Sequence, residues 1–386
     1  MIVKHYMWRN TLDAEGRKTN VTNCKAHSGQ SYHHCSCFCF GAARRKVCHE
    51  PYARRYHVRR EFPMRKEKKG KKVRIMPFGI GLLIFLVAFG AGIASKFVQP
   101  AWAKEYSVTW NDEIGTKMAD IPYGDGVANN FDLYLPKDNS KDAYGLVIYL
   151  HAGGFTSGDK ADDEGMLAWL CSKGYVAAGI NYTLRTDTNT ASVLSQSNEI
   201  KTAVPKVIEA AEAAGYHIDK LTMAGGSAGH ALAMIYAYRD AGESPVPVVF
   251  TFGAVGPSSF YREDWGIFGA DVNDASAINL FSVMSGEEIT AEELHDGTYL
   301  EKMKPIAAAE WVTPDAPPTV VAYGTHDRMQ PFLASLRLKT ALTENGVDFQ
   351  YFELPHSGHG LQNDNAIQKQ YMEAVVEYLD KYMPLN

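Results

Sequence analysis

The run Leu221 to His230, Leu-Thr-Met-Ala-Gly-Gly-Ser-Ala-Gly-His, limits the folding of this chain more than any other stretch. Leu221 to Ala224 is apolar and short, as a buried strand is. It breaks on glycines, after which Ala228, Ala231, Leu232, Ala233, Ile235 and Tyr236 follow a helical period. The pattern predicts strand, sharp turn and helix, with Ser227 at the tip. Glycine two residues to either side, at Gly225 and Gly229, suits such a turn because the two backbones crowd there and the serine is held in a strained conformation. One Gly-x-Ser-x-Gly arises often by chance, so its meaning depends on what else the chain carries, and in what order.

Upstream, the apolar strand Gly145 to Leu150 runs into His151-Ala-Gly-Gly-Phe155. Downstream, Pro318 to Tyr323 ends in Gly324-Thr-His-Asp327, and Phe349 to Pro355 leads into His356-Ser-Gly-His359-Gly-Leu361. With these four motifs in this order, residues 105–386 resemble the α/β-hydrolase esterases with an HGGG-type oxyanion loop. They stand near the acetyl-ester and feruloyl-ester hydrolases of the lipase–esterase group. The resemblance implies an α/β fold whose mostly parallel sheet is covered on both faces, and a serine carboxylesterase acting on short acyl groups of small-molecule or carbohydrate esters, with no cofactor or metal. A serine hydroxyl is a weak nucleophile and needs a base within hydrogen-bond reach and a carboxylate fixing that base's tautomer. Ser227, His359 and Asp327 take those roles. The Ala228 amide, with those of Gly153 and Gly154, would hold the carbonyl oxygen as it becomes an anion. Ala152 replaces the family's first glycine, a position that shapes the loop and donates nothing.

His356 and His359 lie three residues apart, and one base suffices. Pro355 stiffens the chain before His356, whereas Gly358 and Gly360 give His359 the freedom to arch over the sheet. In the resembling family the base lies in a Gly-His pair before the last helix, which again selects His359. The other polar candidates read as structural. Gly158-Asp159-Lys160 is a loop anchor, His151 holds its loop through ring hydrogen bonds, and His230 packs against the turn. Asp162-Asp163-Glu164 is expected to be a solvated helix start.

From Glu105 onward the chain alternates. Tyr106–Trp110 and Asn130–Tyr134 read as strands around the turn Tyr123-Gly-Asp-Gly126, then comes a helix near 164–173, a strand at 175–182 and a helix at 195–214. Another strand spans 246–252, and the final helix starts near Asn363. Residues 255–312 interrupt this alternation with Phe260, Tyr261, Trp265, Phe268, Phe281 and Trp311. So long a connection is expected to form a small helical lid over the site.

The formal net charge of −5 conceals a division. Residues 1–74 carry 19 Lys and Arg against 5 Asp and Glu, whereas residues 104–386 carry 19 against 39. Residues 1–63 also hold Cys24, Cys35, Cys37, Cys39 and Cys48, in spacings that match no common metal frame. This stretch is read as a basic Cys/His-rich extension, disordered or upstream of the true start. Residues 64–103 read as an export signal or signal anchor. A cationic run from Met64 to Arg74 precedes the charge-free apolar residues 76–95, and Ala101-Trp-Ala103 offers a small-residue cleavage site. The catalytic part would then be extracellular, or anchored with membrane contact only through residues 76–95. No phosphate loop, dinucleotide fingerprint or metal-ligand set appears in residues 104–386, and their acidity disfavours nucleic acid. The expected partner is a small-molecule or carbohydrate ester. A peptidase or amidase, or an inactive binding protein on the same fold, stands as the alternative.

Overall fold

The computed structural model describes residues 100–385. The extension 1–63, and the signal up to residue 99, lie outside the described residues. The described residues belong to one compact unit. Among the described residues eight strands form one sheet in the order β1-β2-β4-β3-β5-β6-β7-β8. They are β1 (Gly115–Pro122), β2 (Asn130–Pro136), β3 (Tyr144–Leu150), β4 (Val176–Ile180), β5 (Ile218–Gly226), β6 (Val248–Ala254), β7 (Thr319–Gly324) and β8 (Phe349–Leu354). β2 runs antiparallel to both β1 and β4, and every pairing from β4 to β8 is parallel.

The central strands are largely apolar because helices cover both faces. Leu146, Val147, Ile148 and Leu150 of β3 and Leu221, Met223 and Ala224 of β5 are buried. Between the strands run α1 (Glu164–Ser172), α2 (Val193–Ala213), α3 (Ala228–Ile235), α4 (Asp274–Ser285), α5 (Ala291–Asp296), α6 (Tyr299–Met303) and α7 (Phe332–Glu344), and α8 (Asn365–Tyr382) follows β8. Helix α7 had no counterpart in the sequence reading. Among the described residues no helix is long and apolar enough to cross a membrane.

One strand is displaced from its expected place. Residues 101–106 form a short 3-10 helix and the segment after it joins no ladder; β1 begins only at Gly115. The alternation of Tyr106 to Trp110 reflects side-chain packing instead. Tyr106 meets Trp169 of α1 edge-on at 5.5 Å, and Trp110 meets Tyr134 of β2 edge-on at 5.2 Å.

Between β6 and β7 the chain makes a 3-10 segment at Arg262–Phe268 and then α4, α5 and α6. Their core is aromatic. Phe260 stacks on Trp265, Trp265 meets Phe281 edge-on, and Phe281 stacks on Tyr299 at centroid distances of 5.3, 6.2 and 5.4 Å.

Candidate active site

All the parallel strands present their carboxyl ends at one edge of the sheet, where ligands of such folds bind. The residues singled out from sequence leave from those ends. Ser227 follows β5, the His151–Phe155 loop follows β3, Asp327 follows β7 and His359 follows β8.

Ser227 sits at φ 50°, ψ −116°, in a region that non-glycine residues seldom occupy. The turn survives because it is clamped on both sides. Ser227 N–H donates to Ala254 O of β6 at 2.9 Å, and its own carbonyl accepts from Ala231 N–H at 3.0 Å. Gly229 packs so tightly on the end of β3 that a Cβ there would lie 1.9 Å from Leu150 O. Five non-glycine residues have positive φ among the described residues, and three of them, Phe155, Ser227 and Val255, line one pocket. Strain held in place by surrounding structure concentrates in functional sites.

Three side chains reach across that edge to one another. His359 Nε2 is 2.8 Å from Ser227 Oγ, and its Nδ1 is 2.8 Å from Asp327 Oδ2. The other carboxylate oxygen of Asp327 accepts the backbone N–H groups of Met329, at 2.7 Å, and Gln330, at 2.9 Å. The Asp327 side chain is 2% exposed and that of His359 29%. A buried carboxylate with three partners is held as an orienting group, and a half-open imidazole is free to pass a proton on. His356 lies elsewhere. Its ring, 78% exposed, pairs with Asp364 at 2.8 Å, and Asp364 also accepts from Ser357 Oγ, a network that braces the loop below His359.

Gly153 and Gly154 both have positive φ, 129° and 60°, which lets the loop double back with Thr156 and Ser157 N–H groups donating to Gly153 O. The N–H of Ala228, first in its helix, has no helical acceptor. Gly154 and Ala228 line the pocket beside Ser227, whereas Gly153 shapes the turn beneath it.

The structural readings of the remaining candidates meet mixed outcomes. The His151 ring stacks on Tyr182 at 4.3 Å and contacts Ala152 O through Nδ1 at 2.7 Å. Burial pushes its pKa down. His230 is fully buried, accepts Gly256 N–H at 3.1 Å and is held neutral, its pKa pushed down to about 3 by burial. Asp159 caps a short 3-10 turn and receives Asn181 Nδ2, tying the loop to the end of β4. Lys160 is buried, 2.7 Å from Asp120 and 3.3 Å from Asp132. The acidic helix start is solvated at Asp162, and the Glu164 side chain is 42% exposed. Glu164 pairs with Lys117 at 2.6 Å, and burial, aided by the Asp162 charge, pushes the Asp163 pKa up to about 7. Tertiary packing at the start of α1 half-buries a carboxylate that its sequence neighbourhood suggests is exposed.

The pocket at Ser227 and His359 has a volume of about 280 Å³. Phe155 of the glycine loop, Val255 and Pro257 after β6, and Trp265, Phe268, Leu280, Val283 and Met284 from the β6–β7 excursion form its apolar wall. Four polar residues in the wall, Thr156, Arg185, Ser192 and Gln330, were not singled out from the sequence. Gln330 is buried with its Oε1 unpartnered. Arg185 lies in the loop after β4. A position just beyond a parallel strand's carboxyl end was the available signal for Arg185.

The sequence profile of the BD-FAE family matches residues 131–342, more than half of the chain, including Ser227 and Asp327. Kynurenine formamidase of Salmo salar is 34% identical over 123 residues, 32% of this chain and 39% of that protein. That of Danio rerio is 34% identical over 120 residues, 31% and 38% of the two chains. The chain thus spans about two-fifths of the length of these relatives. Among solved structures, a truncated carbohydrate esterase from gut microbiota has a TM-score of 0.55 at 20% identity, covering 71% of this chain and 98% of that one. Esterase B from Lactobacillus Rhamnosis scores 0.53 at 18% identity, over 77% and 93% of the chains. A Thermogutta terrifontis esterase scores 0.53 at 19%, over 70% and 93%. At these identities the structural likeness speaks for the α/β-hydrolase fold.

Proposed function

This chain belongs to the BD-FAE family, and from that premise we propose that it is a serine carboxylesterase cleaving short acyl groups, of acetyl or feruloyl type, from small-molecule or carbohydrate alcohols. The observation that carries this reading is the continuous Ser227–His359–Asp327 hydrogen-bond chain at the floor of an apolar pocket. Ser227 Oγ attacks the ester carbonyl carbon as its proton passes to His359 Nε2. The Gly154 and Ala228 amides, helped by Gly153, meet the negative charge that develops on the carbonyl oxygen; each such donor is worth about 3–4 kcal/mol. Collapse expels the alcohol, which takes the proton from His359. Water then gives its proton to His359 and attacks the acyl-enzyme, releasing the acid and restoring Ser227. Asp327 stays ionised throughout and holds the imidazole in one tautomer.

A second reading has one observation in its favour, the 34% identity to kynurenine formamidases. The same chemistry would then cleave a small acyl group from an amine. We further read residues 64–103 as an export signal or anchor that places this domain outside the cell membrane; that reading rests on their charge and hydropathy.

The test is a panel of p-nitrophenyl acyl esters, acetylated and feruloylated sugars and an N-formyl anilide, each in buffer with EDTA. Ester hydrolysis that persists with EDTA and falls by about 10⁴-fold or more in Ser227→Ala is expected. Full activity of the alanine variant would overturn the mechanism. A preference for the anilide would select the second reading.

A further inference from the structure

The loop between β4 and α2 runs beside the pocket, and Arg185 is fixed within it at two points. Its backbone N–H donates to Phe155 O at 3.0 Å, which couples it to the glycine loop. Its Nη1 donates to Ala191 O at 2.7 Å. Gln196 Nε2 bridges Phe155 O and Thr183 O at 2.9 and 2.8 Å, stiffening the same segment from α2. Arg185 and Ala191 both line the pocket that holds Ser227 and His359.

The charge of Arg185 has no counterpart among the described residues. Arg239 pairs with Asp240, Arg262 with Asp274, and Arg337 with both Asp264 and Glu263. Arg328 stands in water. Arg185 is half-buried, yet no described carboxylate lies within ion-pair distance of it, in a domain with 39 Asp and Glu. A guanidinium has five N–H donors in a rigid fork, and one of these is used. Keeping the others partly desolvated and unpaired costs free energy that a bound carboxylate would recover through a two-pronged, charge-assisted contact.

We propose that Arg185 recognises a carboxylate on the substrate, so that the site selects esters carrying a negative charge in their acyl or alcohol part. The proposal rests on the esterase reading. Arg185 acts here on specificity and takes no part in bond breaking. The competing account is a loop strut, in which the Nη1 contact to Ala191 O is its whole role.

The experiment uses the full chain and two matched pairs of esters. On the acyl side, p-nitrophenyl hydrogen glutarate is compared with p-nitrophenyl pentanoate. On the alcohol side, an acetylated methyl glucuronide is compared with its uronic methyl ester. In at least one pair the anionic member is expected to have the higher kcat/KM, and that pair identifies where the charge resides. Arg185→Met should lower the preference by about 10- to 100-fold, the size of a hydrogen bond to a charged group, chiefly through KM. Arg185→Lys should restore part of it, and added salt should weaken it in the parent protein. Absence of a preference in both pairs, or equal losses on both members in Arg185→Met, overturns the proposal. A parent protein that cleaves neither these esters nor p-nitrophenyl acetate fails the esterase reading first, and the proposal falls with it.

Discussion

The carboxyl edge of the sheet and the β6–β7 excursion face the same pocket, but different forces position them. At the edge, each polar side chain is fixed by directional bonds. Asp327 has three, Ser227 is strained between two backbone contacts, and His359 spans from one to the other. The excursion relies on rings. Phe260, Trp265, Phe281 and Tyr299 pack in sequence, and their neighbours Phe268, Leu280, Val283 and Met284 form the wall. Hydrogen bonds define positions within a few tenths of an ångström, as proton transfer requires. Ring packing sets a shape and volume, and it tolerates volume-conserving exchange. Reaction and selectivity can therefore change separately.

The largest expected effect falls on the edge. His359→Ala should lower kcat/KM on any one ester by about a thousandfold or more, against less than about tenfold for His356→Ala. The reverse ranking would break the assignment of the edge as the chemical half. Gly229→Ala comes next, on folding as much as on rate. Its Cβ would meet Leu150 O at 1.9 Å, so the strand and helix must separate, and a stability loss of several kcal/mol by urea unfolding is expected, of the order seen for overpacked sites.

In the excursion, Phe281→Ala should cost about 3–5 kcal/mol of stability, the usual price of an aromatic cavity. Activity of the folded fraction on p-nitrophenyl acetate should survive, while the ratio of long-chain to acetyl esters changes. A uniform loss on all acyl lengths would show that the two regions are not separable.

The smallest effect lies at the start of α1, where Asp163 is the cap residue. Asp163 keeps its proton up to about pH 7 in the folded protein, against an ordinary value of 3.8. Its contribution is fully present at low pH, and stability falls as pH rises through that interval. Asp163→Asn should therefore be more stable than the parent protein at pH 8 by about 1–3 kcal/mol, with the difference vanishing near pH 4. A pH-independent difference in urea midpoints would show that Asp163 is solvated like Asp162.

The local pieces of this protein follow from short stretches of its sequence. A serine between glycines at the end of an apolar strand specifies its own turn, because backbone crowding and left-handed φ act over only a few residues. The Gly-rich loop, the order of the motifs and the alternation of strand and helix were legible for the same reason. Tyr106–Trp110 misled because alternation records which side chains are buried and is silent on what buries them. The rest came from tertiary packing. It brought His359 to a serine 132 residues away, half-buried Asp163, placed the helical excursion against the pocket, and left Arg185 there without a carboxylate. Desolvation and charge pairing depend on which distant segments close over a group, and the residues flanking it in the chain carry no record of that.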